Sequence, residues 1–135
     1  FKGYYYQNYF KNLDVDKNLL KKNIFRLMKK SRVVFFNYDS TGLLENLSLN
    51  IPSVCFWQDT YALIDEQYIN KYKKLVEGKI LFENFEDLIA HLNKYWDNID
   101  EWWLSLKTQN IIKEFNKDLN INSQRLTDLA KILKR

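Results

Sequence analysis

The hydrophobic positions of this chain change their period along its length. Continuous apolar and β-branched runs occupy residues 33–36 and 53–57, and a shorter run covers 79–82. Such runs are typical of strands that are buried on both faces, as in parallel sheets. Between and after these runs, apolar residues recur every three or four positions, which indicates helices. The pattern therefore predicts a chain that alternates strands with helices.

Helical spacing is clear in five segments, which are residues 17–30, 41–49, 85–96, 99–117 and 121–133. A further helix is expected to begin at a cap on Asp59 or Thr60 and to end near Val76, before Gly78. Two buried strands joined by a short helix form a βαβ unit, whose crossover is right-handed in nearly all proteins. The predicted fold class is α/β, a Rossmann-like parallel sheet flanked by helices, with C-terminal helices packed on it.

The length and composition fit a globular protein with one main domain. The chain has 135 residues, of which 46% are hydrophobic and 16% aromatic, and this excludes a disordered chain. We expect residues 1–120 to form the Rossmann-like domain and residues 121–135 a C-terminal helix. The sequence begins at Phe1 without an initiator methionine, which suggests a fragment, an isolated domain or a processed chain. We expect it to be a fragment of a larger two-domain protein.

Charge and rare residues exclude several classes of protein. The net charge of +4 comes from scattered lysines, which suits anionic ligands but gives no specific signal for nucleic acid. The single cysteine, Cys55, allows no disulfide or zinc pattern within the chain, and the single histidine, His91, is predicted to lie on a helix surface. No apolar run approaches the roughly 18 residues of a membrane span, and no signal peptide is visible. We expect a cytoplasmic protein without a transmembrane segment, a metal site or a cofactor.

A polar turn after the first predicted strand is the strongest candidate for a binding site. It contains Asp39, Ser40, Thr41 and Gly42, just where a helix is predicted to begin. In open parallel sheets, ligands bind beyond the carboxyl ends of the strands, next to helix N-termini. The free N–H groups of the first helical turn could hold an anion such as a diphosphate, and Gly42 would allow its close approach. The alternative is an ordinary helix cap.

Three other side chains are candidates for the same site. Glu45 lies one helical turn after Thr41 and could accept hydrogen bonds from the two hydroxyls of a ribose, or it could be a solvated surface residue. Trp57 and Gln58 directly follow the second strand, where they could contact a donor sugar. Core packing is the alternative for Trp57. The neighbouring pair 102–103, both tryptophans, is expected to pack the C-terminal helix against the domain.

These residues also carry a family resemblance. The stretch from Asp39 to Ser53 resembles the donor-binding half of GT-B glycosyltransferases, in which a ribose-binding glutamate precedes a proline at the interval that separates Glu45 from Pro52. A closer resemblance is to the LIC12162-type transferases. It covers roughly residues 29–117 and rests on residues 37–57, 78–80 and 102–103.

The resemblance implies a transferase of cell-surface glycan synthesis. Its partners would be a nucleotide-activated donor, a glycan or related acceptor, and an N-terminal domain of the same protein, which would supply the general base. Two alternatives stay open, a non-catalytic α/β nucleotide-binding or protein-interaction module and a regulatory phosphoacceptor domain. The fold by itself does not decide between them, since this architecture hosts many functions.

Overall fold

The computed structural model describes residues 23–38, 40–58, 62 and 64–118. The chain divides into two compact units, Phe1–Lys30 and Ser31–Arg135. The described part of the first unit is helix α1, Ile24–Lys30. Its N-terminus is capped, because Asn23 Oδ1 accepts a hydrogen bond from the Phe25 N–H at 3.0 Å. Residues 17–22 of the predicted first helix lie outside the described residues.

The second unit contains a parallel sheet. Its strands are β1 (Val34–Phe36), β2 (Ser53–Phe56) and β3 (Leu81–Phe82), in the spatial order β1-β2-β3. Both neighbouring pairs run parallel, with Phe35 opposite Val54 and Cys55 opposite Leu81. The sheet confirms the predicted α/β class with a parallel sheet flanked by helices.

Five helices of the second unit fall in the described ranges. They are α2 (Thr41–Ser48), α3 (Glu66–Glu77), α4 (Phe85–Tyr95), α5 (Ile99–Trp103) and α6 (Leu106–Asp118). The predicted helix at residues 121–133, and with it the predicted C-terminal segment 121–135, lies outside the described residues.

Side-chain caps explain where α3 and α6 begin. Asp65 Oδ1 accepts from the Gln67 N–H at 3.2 Å, so α3 begins at Glu66, while the predicted cap at Asp59 or Thr60 lies outside the described residues. Ser105 Oγ accepts from the Thr108 N–H at 3.3 Å and thereby starts α6. The single helix predicted over 99–117 is therefore two helices, because a hydroxyl at this position competes with the helical ladder and caps a new helix.

The two longer strands differ in burial. In β2, Ser53, Val54 and Cys55 are all buried, as predicted. In β1 the side chain of Phe35 is 50% exposed, so the prediction of burial on both faces is wrong for this strand. The reason is its place in the sheet, since β1 is at the edge of the three described strands.

The predicted apolar face of α4 is only partly buried. Leu88 is buried, whereas Phe85, Ile89 and Trp96 are 48%, 42% and 48% exposed. The Arg32 guanidinium lies 5.1 Å from the centre of the Trp96 ring and donates to the Trp96 carbonyl at 2.8 Å. The Arg32 side chain therefore makes a cation–π contact with the exposed ring and supplies a donor for a carbonyl at the C-terminal end of α4.

Helix α2 ends in a Schellman motif. The Ile51 N–H donates to the Asn46 carbonyl at 2.8 Å, and the Asn50 N–H donates to the Leu47 carbonyl at 3.2 Å. This motif places the residue after the cap in the left-handed region, and Asn50 has a φ of 54°. Asparagine tolerates this conformation better than most residues, so the sequence suits the turn.

Helix α3 ends in the same motif with an unfavourable residue. Lys79 occupies the left-handed position, with a φ of 58°, at a cost of about 1 kcal/mol relative to a glycine. Gly78 has a φ of −78° and needs no such freedom. A Cβ on Gly78 would lie 3.1 Å from Ile111 Cδ1, so this glycine allows α6 to pack closely.

The two adjacent tryptophans form hydrogen bonds with the C-terminal ends of α2 and α3. Both are buried, and each indole N–H donates to a carbonyl that follows a helix: Trp103 to Asn50 at 3.3 Å and Trp102 to Gly78 at 2.9 Å. The predicted packing role of the pair is confirmed, while the C-terminal helix that it was expected to anchor lies outside the described residues. The core around the pair is formed by buried side chains from the sheet and from α2 to α6, among them Leu43, Leu47, Val54, Leu75, Ile80, Leu88 and Phe115.

Candidate functional site

The predicted site residues lie at the carboxyl edge of the sheet. Strand β1 ends at Phe36 and leads into α2, and β2 ends at Phe56 and leads to Trp57 and Gln58. Because the two strands are parallel neighbours, their carboxyl ends lie side by side. The fold thus brings the turn before α2 and the residues after β2 to one edge, while Asp39 lies outside the described residues.

Among the described residues, no side chain caps the start of α2. Ser40 is the N-cap residue, with extended backbone (φ −129°, ψ 159°), and its hydroxyl makes no capping hydrogen bond. The Ser40 carbonyl accepts from the Leu43 N–H at 3.0 Å. Within the described part of the chain, the N–H groups of Thr41 and Gly42 have no hydrogen-bond acceptor. By contrast, α4 is capped by Asn84, so the alternative of an ordinary serine cap does not hold for Ser40.

Gly42 has a structural reason to be a glycine. A Cβ at this position would lie 3.0 Å from Cε1 of Phe36, the last residue of β1. The helix therefore begins very close to the strand that precedes it, and the missing side chain faces that strand. The close approach brings the first helical turn directly against the end of β1.

Thr41 and Glu45 lie on the outer side of α2. Thr41 is exposed and Glu45 half-buried, whereas Leu43 and Leu47 on the opposite side are fully buried. Among the described residues, no cation forms an ion pair with the Glu45 carboxylate. Its oxygens therefore have room to accept hydrogen bonds from a bound molecule.

Trp57 and Gln58 differ in their surroundings. Trp57 is half-buried and meets Tyr72 of α3 edge to face, with 6.2 Å between the ring centres. Of the two roles predicted for Trp57, contact with a donor sugar and core packing, the structure shows the packing. Gln58 is exposed at the same edge and could reach a ligand there.

Asn46 supports the site and is absent from the predicted residues. Its side chain is fully buried and donates from Nδ2 to Ser53 Oγ at 3.0 Å, and Ser53 Oγ donates to the Ile51 carbonyl at 2.9 Å. This chain of bonds fixes α2 to the first residue of β2. A signal existed in the sequence, since Asn46 occupies a helix position whose neighbours one turn away are apolar.

A cavity of about 440 Å³ lies at the other end of the sheet. It is lined by the end of α3, by one side of α4 from its first turn to its last, by α5 and by the first turn of α6, and His91 is part of its wall. Sequence reasoning missed this cavity, because it forms only when these consecutive elements, between residues 77 and 108, pack against one another.

His91 is surrounded by aromatic rings. Its ring centre lies 4.6 Å from that of Trp102, 4.9 Å from Tyr95 and 5.3 Å from Phe82. Its Nε2 atom is buried and has no hydrogen-bond partner among the described residues. The prediction of a histidine on the helix surface is therefore wrong, because α4 turns this residue towards the sheet and α5.

The surroundings of His91 favour its neutral form. Burial lowers its pKa from 6.5 to about 4, and the nearby charges of Lys79 and Lys94 act in the same direction. Below pH 6.5 the unfolded chain therefore binds a proton more readily than the folded protein, and the stability that depends on His91 is lost as the pH falls from 6.5 towards 4.

This pH dependence can be measured with a variant. We expect the wild type to lose roughly 1–2 kcal/mol more than His91→Phe between about pH 7 and pH 4.5, after a discount for partial solvent screening. Urea unfolding of both proteins at the two pH values measures this difference in the free energy of unfolding. The titration of the carboxyl groups affects both proteins equally, so it drops out of the comparison. Equal losses would show that His91 is protonated equally well in the folded protein.

Two further features concern the described part of the chain alone. Within it, no group of three His, Cys, Asp or Glu side chains is arranged to hold a metal ion. None of its helices combines the length and the apolar character that a bilayer span requires.

Fold and site together define an α/β domain of the parallel-sheet class, in which a helix begins at the carboxyl ends of the strands without a capping bond from its N-cap residue, Ser40. The family model described as LIC12162 family transferase matches residues 2–133. The chain therefore belongs to this family of transferases. No curated protein and no solved structure matches the chain.

Proposed function

We propose that the domain binds a nucleotide-activated donor, such as a nucleotide sugar, and holds its diphosphate at the start of α2. In this proposal the domain corresponds to the C-terminal, donor-binding half of a GT-B glycosyltransferase and serves cell-surface glycan synthesis. The observation that carries the proposal is the start of α2 after β1, where, among the described residues, Ser40 makes no capping hydrogen bond and the N–H groups of Thr41 and Gly42 have no acceptor. Membership of a transferase family supports it.

The physical basis is the partial positive charge of a helix N-terminus. Unpaired N–H groups and the helix dipole favour an anion there, and the first turn of α2 contains no acidic side chain that would oppose it. The hydroxyls of Ser40 and Thr41 add two donors. As the bond to the transferred group breaks, negative charge grows on the leaving diphosphate, and donors already in place stabilise it.

Glu45 would bind the ribose of the same donor. It lies four residues after Thr41 on one side of α2, about 6 Å further along the helix axis. A carboxylate can accept hydrogen bonds from both ribose hydroxyls at once. Gln58 would contact the transferred group, and an N-terminal domain would supply the general base and bind the acceptor glycan.

Calorimetric titration with UDP, GDP, CDP and CMP tests the proposal. We expect weak binding of at least one nucleotide, and about a tenfold or greater loss of affinity in Glu45→Ala, since hydrogen bonds to a charged group are worth about 1.5–3 kcal/mol. Thr41→Ala should lower the affinity for UDP, GDP and CDP more than the affinity for CMP, because CMP has a single phosphate.

The matched control is Glu86→Ala, which removes an exposed carboxylate from the first turn of α4. It should leave nucleotide affinity unchanged. If the folded protein binds none of the four nucleotides, or if Glu45→Ala binds as well as the wild type, the donor is not held at the start of α2.

A further inference from the structure

We propose that the cavity beside His91 is a second ligand site, which binds a small oxyanion, such as a phosphate or carboxylate group, between Lys79 and Lys94. The site is separate from the proposed donor site. Helix α3 runs back from the carboxyl edge of the sheet, and the cavity lies at its far end, where Lys79 precedes β3. The start of α2 lies at the opposite edge.

Two ammonium groups flank the same cluster of rings. Lys79 Nζ lies 5.8 Å from the ring centre of Phe82, and Lys94 Nζ lies 4.9 Å from that of Tyr95. Both rings contact His91. Among the described residues, neither ammonium forms an ion pair with a carboxylate. Two cations held over aromatic faces next to one cavity, each without a partner acid, form a local positive field.

Other charged groups also line the cavity, and their positions matter. Glu77, Asp87 and Glu101 are exposed at its walls, together with Lys107 of α6. Burial first, and then the charges of Lys79 and Lys94, lower the pKa of His91. These two ammonium groups are the charges of the proposed site that lie beside the rings around the imidazole, although the formal charges of the whole lining balance.

The backbone at Lys79 supports a functional role for its side chain. Lysine occupies the left-handed position of the turn, where glycine is favoured, and the neighbouring Gly78 needs no such freedom. Strained residues of this kind concentrate at functional sites. Here the strained backbone points an ammonium towards the rings around His91. A bound anion would also compensate for the two unpaired cations.

His91 is the only histidine of the chain, so its imidazole signals in an NMR spectrum report on this cavity without ambiguity. Inorganic phosphate, sulfate and acetate are titrated into the protein separately. Each replaces chloride in the buffer, so the ionic strength stays constant. We expect a saturable shift of the imidazole signals and a rise in the pKa of His91, because a bound anion stabilises the charged ring. A saturable response to phosphate and sulfate alone identifies a phosphate-type ligand, and an equal response to acetate identifies a carboxylate.

Variants locate the anion. Lys79→Gly should weaken binding at least tenfold while its Tm stays level or rises by a few degrees, because glycine relieves the left-handed strain. Lys94→Gln should weaken binding to a similar extent. Lys113→Gln removes an exposed lysine of α6 outside the cavity and should leave the affinity unchanged, and Glu101→Gln should increase it.

The proposal is overturned if the imidazole shift is linear without saturation, or if Lys79→Gly and Lys94→Gln bind the anion as the wild type does. It is also overturned if Lys113→Gln weakens binding as much as they do, since the effect would then be one of net charge. If Lys79→Gly does not fold, Lys94→Gln decides. The result is independent of the nucleotide titration, because His91 reports on the amino edge of the sheet alone.

Discussion

Replacing Trp103 by alanine is expected to lower the free energy of unfolding by about 3–5 kcal/mol. The indole is 1% exposed and packs against Trp102, with 5.2 Å between the ring centres. Its N–H also donates a hydrogen bond to the carbonyl of Asn50, the residue with left-handed backbone that follows α2. The substitution removes both the packing and the partner of this carbonyl. Since small domains are stable by only about 5–15 kcal/mol, the variant should be close to unfolding.

Urea unfolding followed by circular dichroism measures this effect, and two variants provide controls. Trp96→Ala removes the same side chain at a position that is 48% exposed, and it should cost about 1 kcal/mol because less apolar area is lost. Trp103→Phe keeps a ring in the core without the N–H, so its cost should lie between those of the two alanine variants. Equal losses for Trp103→Ala and Trp96→Ala would contradict a central role for Trp103.

Replacing Asn46 by aspartate is expected to lower the free energy of unfolding by about 3–5 kcal/mol at neutral pH. The two side chains have nearly the same shape, so packing is conserved. Asn46 is fully buried, and its Nδ2 donates to Ser53 Oγ, which itself donates to the Ile51 carbonyl. A carboxylate at this place cannot donate, and no cation among the described residues bonds with the side chain at this position.

The same variant should be least impaired in acid. Burial raises the pKa of a carboxyl group above its value in the unfolded chain, so the folded variant keeps its proton at a pH where the unfolded variant has lost it. Its stability relative to wild type is therefore highest below about pH 4 and falls as the pH rises.

Denaturant unfolding over a pH series measures this dependence. Asn93→Asp, at an exposed position of α4, is the matched control and should cost less than about 0.5 kcal/mol at every pH. A loss in Asn46→Asp that does not change with pH would contradict the burial of an unpaired charge.

The two proposed sites lie at opposite edges of the sheet and would bind different ligands. At the carboxyl edge lie the carboxylate of Glu45 and the N–H groups of Thr41 and Gly42, which have no acceptor among the described residues, and the ligand proposed there is a diphosphate joined to a ribose. The amino edge presents the ammonium groups of Lys79 and Lys94 beside a neutral His91. Both sites are reached from outside the core, so each can be removed by substitution without loss of the fold.

The sequence by itself determined the alternation of strands and helices, the parallel sheet and the polar turn before α2. These follow from local patterns. A buried central strand such as Ser53–Phe56 is a run of mostly apolar residues, and a helix stop such as Asn50 with Pro52 consists of residues that are close together in the sequence. The anchoring role of Trp102 and Trp103 could also be predicted, because large aromatic side chains in a helical pattern are usually packed.

Only the tertiary structure decided which chain positions meet. The exposure of Phe35 depends on β1 being at the edge of the sheet, and the need for glycine at position 78 depends on the approach of Ile111 from α6. The cavity beside His91 is formed by consecutive elements between residues 77 and 108, and the angles at which they pack, which no local pattern indicates, create it. The burial of a polar or charged group, and hence its energy, is set by such distant neighbours rather than by the residues beside it in the sequence.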